Sequence, residues 1–262
     1  MLSLCGLSRA QMPDLVESCH SSATIKADIA AKFGFQPSVS VAGGAGDNAA
    51  TAMGLQVEKP GDVFLSLGTS GVVFAVSDAY RPLPESALHT FCYTTPQTWH
   101  QMGVTLSATD CVNWLASTLD EEVSVLVDSV RHSRPGNVLF LPFLAGERTP
   151  YNDPDLRVTM TQIDHQTRRH DLVRAALEGV IFSLQESIDL MTKAGNLLKN
   201  YYLVGGGSRL SVPINQNMPQ QLVRHDWEHC PSMRIFHLRA AANNSYRVPS
   251  WPVSMPINTR LI

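Results

Sequence analysis

Hydrophobic positions along the chain follow two rhythms. Spacings of three and four align Val173, Leu177, Val180, Leu184, Ile188 and Met191, which predicts a long amphipathic helix in "DLVRAALEGVIFSLQESIDLM", closed by Gly195 and Asn196. Ile25, Ile29, Ala30 and Phe33 repeat that spacing, with Gly34 as the stop. Apolar, β-rich runs at 63–67 and 72–76, joined by Gly68, Thr69, Ser70 and Gly71, predict a strand, a glycine-flanked turn and a second strand. "PSVSVAGG" reads as a short extended piece, and "NVLFLPFLAGERTPYNDP" as a buried strand entering a loop dense in Gly, Pro and charge. "NYYLVGGGSR" reads as a strand ending in Gly205, Gly206 and Gly207. Ser107 with Asp110 forms an S-x-x-D start signal for a helix carrying Val112 and Leu115, and "EEVSVLVDSVRH" supplies another short helix. These elements predict an α/β domain, a mixed central sheet flanked by helices, over residues 48–208.

Beyond Ser208 no period is sustained. All 17 glycines lie at or before Gly207, whereas the final segment carries six prolines, so residues 209–262 are expected to form a divergent, poorly ordered tail.

Composition narrows the function classes. With 20 basic against 23 acidic residues, the chain builds no large positive field, which disfavours nucleic acid or anionic lipid as a partner. No apolar run reaches the roughly 18 to 20 residues of a spanning helix. Five cysteines, odd in number and without a C-x-x-C pair, read as reduced thiols of a cytoplasmic protein. His225, His229 and Cys230 in "HDWEHC" have no second ligand cluster, so no metal site is assigned.

Three small-residue segments are candidates for chemistry. In "VAGGAGDNAATAMG", residues 41–54, a lone carboxylate, Asp47, stands among residues that let a ligand approach the backbone, and it is placed to accept a proton. An Asp before "NAATAMG" also serves simply to start a helix. "LGTSG" offers backbone amides and the Thr69 and Ser70 hydroxyls to an anion, yet hairpin turns require the same residue types. "VGGGSR" sets bare backbone where a nucleotide could lie, without matching G-x-G-x-x-G or the P-loop; it reads equally as a strand-to-helix turn.

Taken in order, "GAGDNAA", "SLGTSG" and "VGGGSR" resemble the FGGY family of carbohydrate kinases, of the actin-like ATPase superfamily. "ALHTFCYTTPQTWHQMGVTLSATDCVNWL" and "FLPFLAGERTPYNDPDLR" are most similar to its xylulokinase branch. The resemblance implies ATP-dependent phosphorylation of a sugar, D-xylulose to xylulose 5-phosphate, with ribulose, gluconate or glycerol as alternatives. It implies Asp47 as general base, with Asn48 beside it at the sugar. Gly68, Thr69 and Ser70 are implied as the contact to the transferring phosphates, Gly205, Gly206 and Gly207 as the adenosine platform, and Asn113 as a polar neighbour of the nucleotide. Mg²⁺ with ATP and a homodimer complete these expectations.

The chain departs from the family in three places. It lacks the Asp-x-Gly-Thr motif of the family's first strand, so residues 1–47 are expected to be the remnant of an N-terminal domain, and the polypeptide to be a truncated enzyme or a non-catalytic remnant. The expected tail reads as an altered, out-of-frame version of the family's C-terminus. Val158 and Gln162 stand near positions where the family has glycine, which is expected to disturb a turn.

Overall fold

The structure, a computed structural model, describes residues 1–131, 133 and 137–209. From residue 210 onward the expected tail, with His225, His229 and Cys230, lies outside the described residues. In chain order the elements are β1 (Ser21–Thr24), α1 (Ala27–Phe33), β2 (Ser40–Ala42), α2 (Asp47–Gly54), β3 (Asp62–Leu67), β4 (Gly71–Ser77), β5 (His89–Cys92) and β6 (Trp99–Thr105). They continue with α3 (Thr109–Thr118), α4 (Val123–Ser129), β7 (Leu139–Leu141), β8 (Thr159–Thr161), α5 (Arg169–Lys193) and β9 (Asn200–Val204).

Five strands form the main sheet in the order β5-β6-β4-β3-β9. β3 and β9 run parallel, and the other neighbours antiparallel, so the sheet is mixed, as the sequence pattern predicts. Alternation along each strand divides the core in two. Val63, Leu65, Leu67, Val73, Ala75 and Tyr201 face α5 and meet its Leu184, Ile188 and Met191. Phe64, Phe74 and Val76 face the other way, onto Ala49 and Ala52 of α2. A further layer packs α3, α4 and β7 against α5, through Cys111, Leu115, Leu126, Phe140, Val173 and Val180.

The hydrophobic pattern does not announce β5 and β6, and the reason is chemical. β6 buries His100 and Gln101 inside the sheet. His100 stacks on Phe74, with ring centroids 4.5 Å apart, and Gln101 accepts a 2.6 Å hydrogen bond from Asn196 Nδ2. A satisfied Gln101 and a ring-stacked His100, whose Nδ1 has no hydrogen-bond partner among the described residues, thus replace the apolar run that marks an ordinary buried strand.

The S-x-x-D signal identifies α3 correctly and its cap incorrectly. α3 starts at Thr109 with Ala108 before it, no side chain caps it, and the Ser107 hydroxyl is buried without a partner. The turn after β3 does the capping instead.

Residues 1–46 contribute nothing to these core clusters. β1 and β2 pair antiparallel, with every residue of both exposed. α1 ends at Gly34 in the left-handed region (φ 71°), as its stop signal predicts, yet only Ala30 of the helix is buried. After β8, Gln162 holds φ 61°, a conformation that favours glycine.

Candidate active site

The site is built where β3 and β9 end side by side. Ligands of α/β sheets commonly lie beyond the carboxyl ends of such strands. Residues 68–70 leave β3 and return as β4; the carbonyls of Gly68 and Thr69 turn toward the start of α3, and that of Ser70 accepts from the Gly68 amide at 3.1 Å. The amide of Ala108 donates to Thr69 O at 2.7 Å, that of Thr109 to Gly68 O at 3.0 Å, and that of Asp110 to Thr69 O at 3.3 Å. The Thr109 hydroxyl adds a 2.8 Å bond to Gly68 O. The first helical turn has amides without intrahelical acceptors, and here the loop's carbonyls satisfy three of them.

That arrangement fixes the other side of the turn. The peptide bonds are trans, so carbonyls aimed at α3 force the Thr69 and Ser70 N–H groups to point away from it. Both residues are exposed, so their outward amides can meet an anion.

Gly205 and Gly207 bring a third segment to the same place. At Gly205 (φ 91°) a Cβ would stand 2.6 Å from Leu67 O, and at Gly207 it would stand 2.6 Å from Thr109 Cγ2. Only bare backbone lets the segment lie this close to the ends of β3 and α3. Gly206, between them, is exposed, with open space where a side chain would be. Asn113 is exposed on α3, one turn beyond Thr109 and so on the same side of the helix.

Asp47 is placed differently. It opens α2 on the opposite face of the sheet, exposed to solvent. Its Oδ1 accepts from the Asn48 amide at 2.8 Å and from Asn48 Nδ2 at 3.3 Å, and no described residue donates to Oδ2. Asn48 therefore orients the carboxylate through Oδ1 and leaves Oδ2 without a donor among the described residues. The turn and the glycines are brought together, with Asn113 one turn further along α3, whereas Asp47 shares no hydrogen bond or ion pair with any of them among the described residues.

One buried acid escaped the sequence reading. Glu147, 2 % exposed, lies in the loop after β7. It accepts from the Thr105 hydroxyl at 2.6 Å, the Leu106 amide at 3.0 Å and the Arg148 amide at 2.7 Å. Burial pushes its carboxyl above the usual range, while these bonds and the Arg148 charge pull it back. Nearby, the Tyr151 hydroxyl donates to Glu186 at 2.8 Å, and burial, with the Glu147 and Asp189 charges adding to it, raises Glu186 to about 7. Their sequence signal was no more than charge concentrated in the loop "AGERTPYNDP".

An exposed turn with outward amides beside a bare glycine segment, at the end of a mixed sheet, is an arrangement that suits a nucleotide-using phosphotransferase. The chain belongs to the FGGY family of carbohydrate kinases: residues 63–216 match that family's C-terminal domain and residues 1–54 its N-terminal domain. Among curated relatives it is similar to the xylulose kinase of Escherichia coli (strain K12), 41% identical over 212 residues, covering 80% of this chain and 44% of that protein. Among solved structures it is similar to that of a xyloylose kinase from Brucella ovis, with 45% identity and a TM-score of 0.77, covering 80% of this chain and 44% of the other. Gluconate kinase from Lactobacillus acidophilus aligns at a TM-score of 0.72 and 22% identity, over 79% and 43% of the two chains, which bears on the fold alone. The fold is thus the actin-like one of the FGGY sugar kinases. The chain spans about 44% of the length of these relatives. Among the described residues no helix is long and apolar enough to cross a membrane.

Proposed function

We propose that this chain carries the nucleotide-binding half and the proton acceptor of an ATP-dependent sugar kinase of the xylulose type. The observation that supports it most is the convergence of residues 68–70, Gly205, Gly206 and Gly207 and the start of α3 on one sheet end, in a chain whose 41%-identical relative is named xylulose kinase. In this reading Asp47 Oδ2 takes the proton of a D-xylulose hydroxyl as its oxygen bonds to the terminal phosphorus of ATP. The bond from that phosphorus to the bridging oxygen breaks, giving xylulose 5-phosphate and ADP. Such a transfer asks mainly for positioning and charge stabilisation, which outward-facing amides at Thr69 and Ser70 supply. Gly206 and Asn113 lie beside the adenosine.

Among the described residues no group of three or more His, Cys, Asp or Glu is placed to hold a metal ion. Mg²⁺ enters this proposal only as the ion that accompanies the phosphates of ATP. A cytoplasmic location, a homodimer and a domain division at residues 47 and 48 belong to the same reading.

The solvent exposure of Asp47 favours a second reading, a nucleotide-binding module that does not turn over on its own. ADP release with D-xylulose, measured for the wild type and for Asp47→Ala, separates the two. Loss of at least 100-fold in turnover on substitution is expected for a general base. Turnover that survives in Asp47→Ala removes that role. ATP binding with no turnover in either protein supports the module, and ribulose, gluconate and glycerol as co-substrates test the choice of sugar.

A further inference from the structure

We propose that Glu147 is a positioning residue that holds the phosphate turn in its donor-outward conformation, an inference that rests on the kinase reading of the site. The Glu147 carboxylate grips Thr105 and Leu106, the last residue of β6 and the one that follows it. Two residues on, Ala108 begins the series of amides that hold the carbonyls of Gly68 and Thr69. The acid thus fixes the short connection from β6 to α3, and that connection aims the first turn of α3 at the phosphate seat.

The rest of the loop is clamped to the same strand. The Thr149 amide donates to Val104 O at 3.1 Å, and the Val104 amide donates back to the Thr149 hydroxyl at 3.1 Å. Glu147 and Asp153 exchange backbone bonds of 2.8 and 2.9 Å, which closes the loop into a rigid frame. A carboxylate kept this far from water, with no ion pair among the described residues, costs stability. What offsets that cost locally is three accepted hydrogen bonds, two of them from the connection itself. No other described side chain accepts from the Leu106 amide.

Substitutions separate positioning from charge. In Glu147→Gln the side-chain oxygen still accepts from the Leu106 and Arg148 amides, and the Thr105 hydroxyl rotates to accept from the new amide. Glu147→Ala and Glu147→Asp leave the Leu106 amide without its acceptor. Val57→Ala, in the core on the opposite face of the sheet from α3, is the control for general loss of stability.

Two readouts on the full chain test the proposal: affinity for a fluorescent ATP analogue, and hydrogen exchange at the Ala108, Thr109 and Asp110 amides. Expected are about tenfold weaker binding and at least tenfold faster exchange at those amides in Glu147→Ala and Glu147→Asp, near wild-type values in Glu147→Gln, and unchanged affinity in Val57→Ala. Wild-type exchange in Glu147→Asp overturns the proposal, as do equal losses in the Gln and Ala variants, which would assign the effect to charge. Wild-type chain that binds no analogue removes the kinase reading instead, and the exchange rates still decide whether Glu147 holds the turn.

Discussion

Residues 1–46 and the five-stranded unit use similar apolar side chains to opposite effect. In the first region Phe33 and Phe35 are more than half exposed, and Leu4 and Leu15 are almost bare. In the second, Phe64 and Phe74 stack at 4.8 Å with no exposed surface. The helix and the left-handed glycine of α1 form from local signals alone, but local signals do not bury a face. What distinguishes the regions is the second layer: β3, β4 and β9 have α5 on one side and α2 on the other, whereas β1 and β2 have neither.

The largest test of this contrast is truncation of one phenylalanine in each region. Phe74→Ala should cost about 3–5 kcal/mol in denaturant unfolding, the usual price of an emptied aromatic core site. Phe33→Ala should stay within about 0.5 kcal/mol of the wild type, because its ring already meets solvent. Equal losses would mean that the two regions share one core after all.

Acidity sharpens the contrast inside the folded unit. Glu186 carries its proton to about pH 7 in the fold, against 4.5 for an ordinary Glu. Between those values the folded state binds more protons than the unfolded one, so its contribution to stability falls as pH rises through this window and is gone above it. His100, lowered to about 4 from 6.5 by burial, acts with the opposite sign: its contribution is lost as pH falls from 6.5 towards 4. Thermal unfolding followed from pH 4.5 to 8 should therefore show a steeper rise in Tm with pH for Glu186→Gln than for the wild type. Identical slopes would contradict the raised Glu186 value.

The smallest expected effect is at Gln162. Replacing it by glycine should raise stability by about 0.5–1 kcal/mol, since the left-handed conformation strains any residue with a Cβ. Denaturant midpoints resolve a change of that size, and a loss in Gln162→Gly would show that the side chain earns its place in the turn.

Sequence pattern reached the elements whose stability is local or evenly apolar: α5, the hairpin of β3 and β4, and β9. It did not reach β6, because His100 and Gln101 become core residues only when Phe74 and Asn196 arrive from elsewhere in the chain. Within the site, the glycine turns were legible from their order. Glu147 was not, since its partners Thr105 and Leu106 lie more than forty residues away in sequence. Ser107 misled for a related reason: an N-cap signal assumes that free amides need a side chain, and here a distant loop supplied carbonyls instead.

The bonds between α3 and residues 68–69 have a mechanical consequence. They join the turn to the layer of α3 and α5, so the turn travels with that layer as one piece. On the proposed kinase reading, a nucleotide arriving there meets donors already in place, and little ordering is left to be done on binding. Asp47, at the exposed start of α2, is tied to the same sheet through Ala49 and Ala52, so in the proposed kinase the turn and the proton acceptor share one frame.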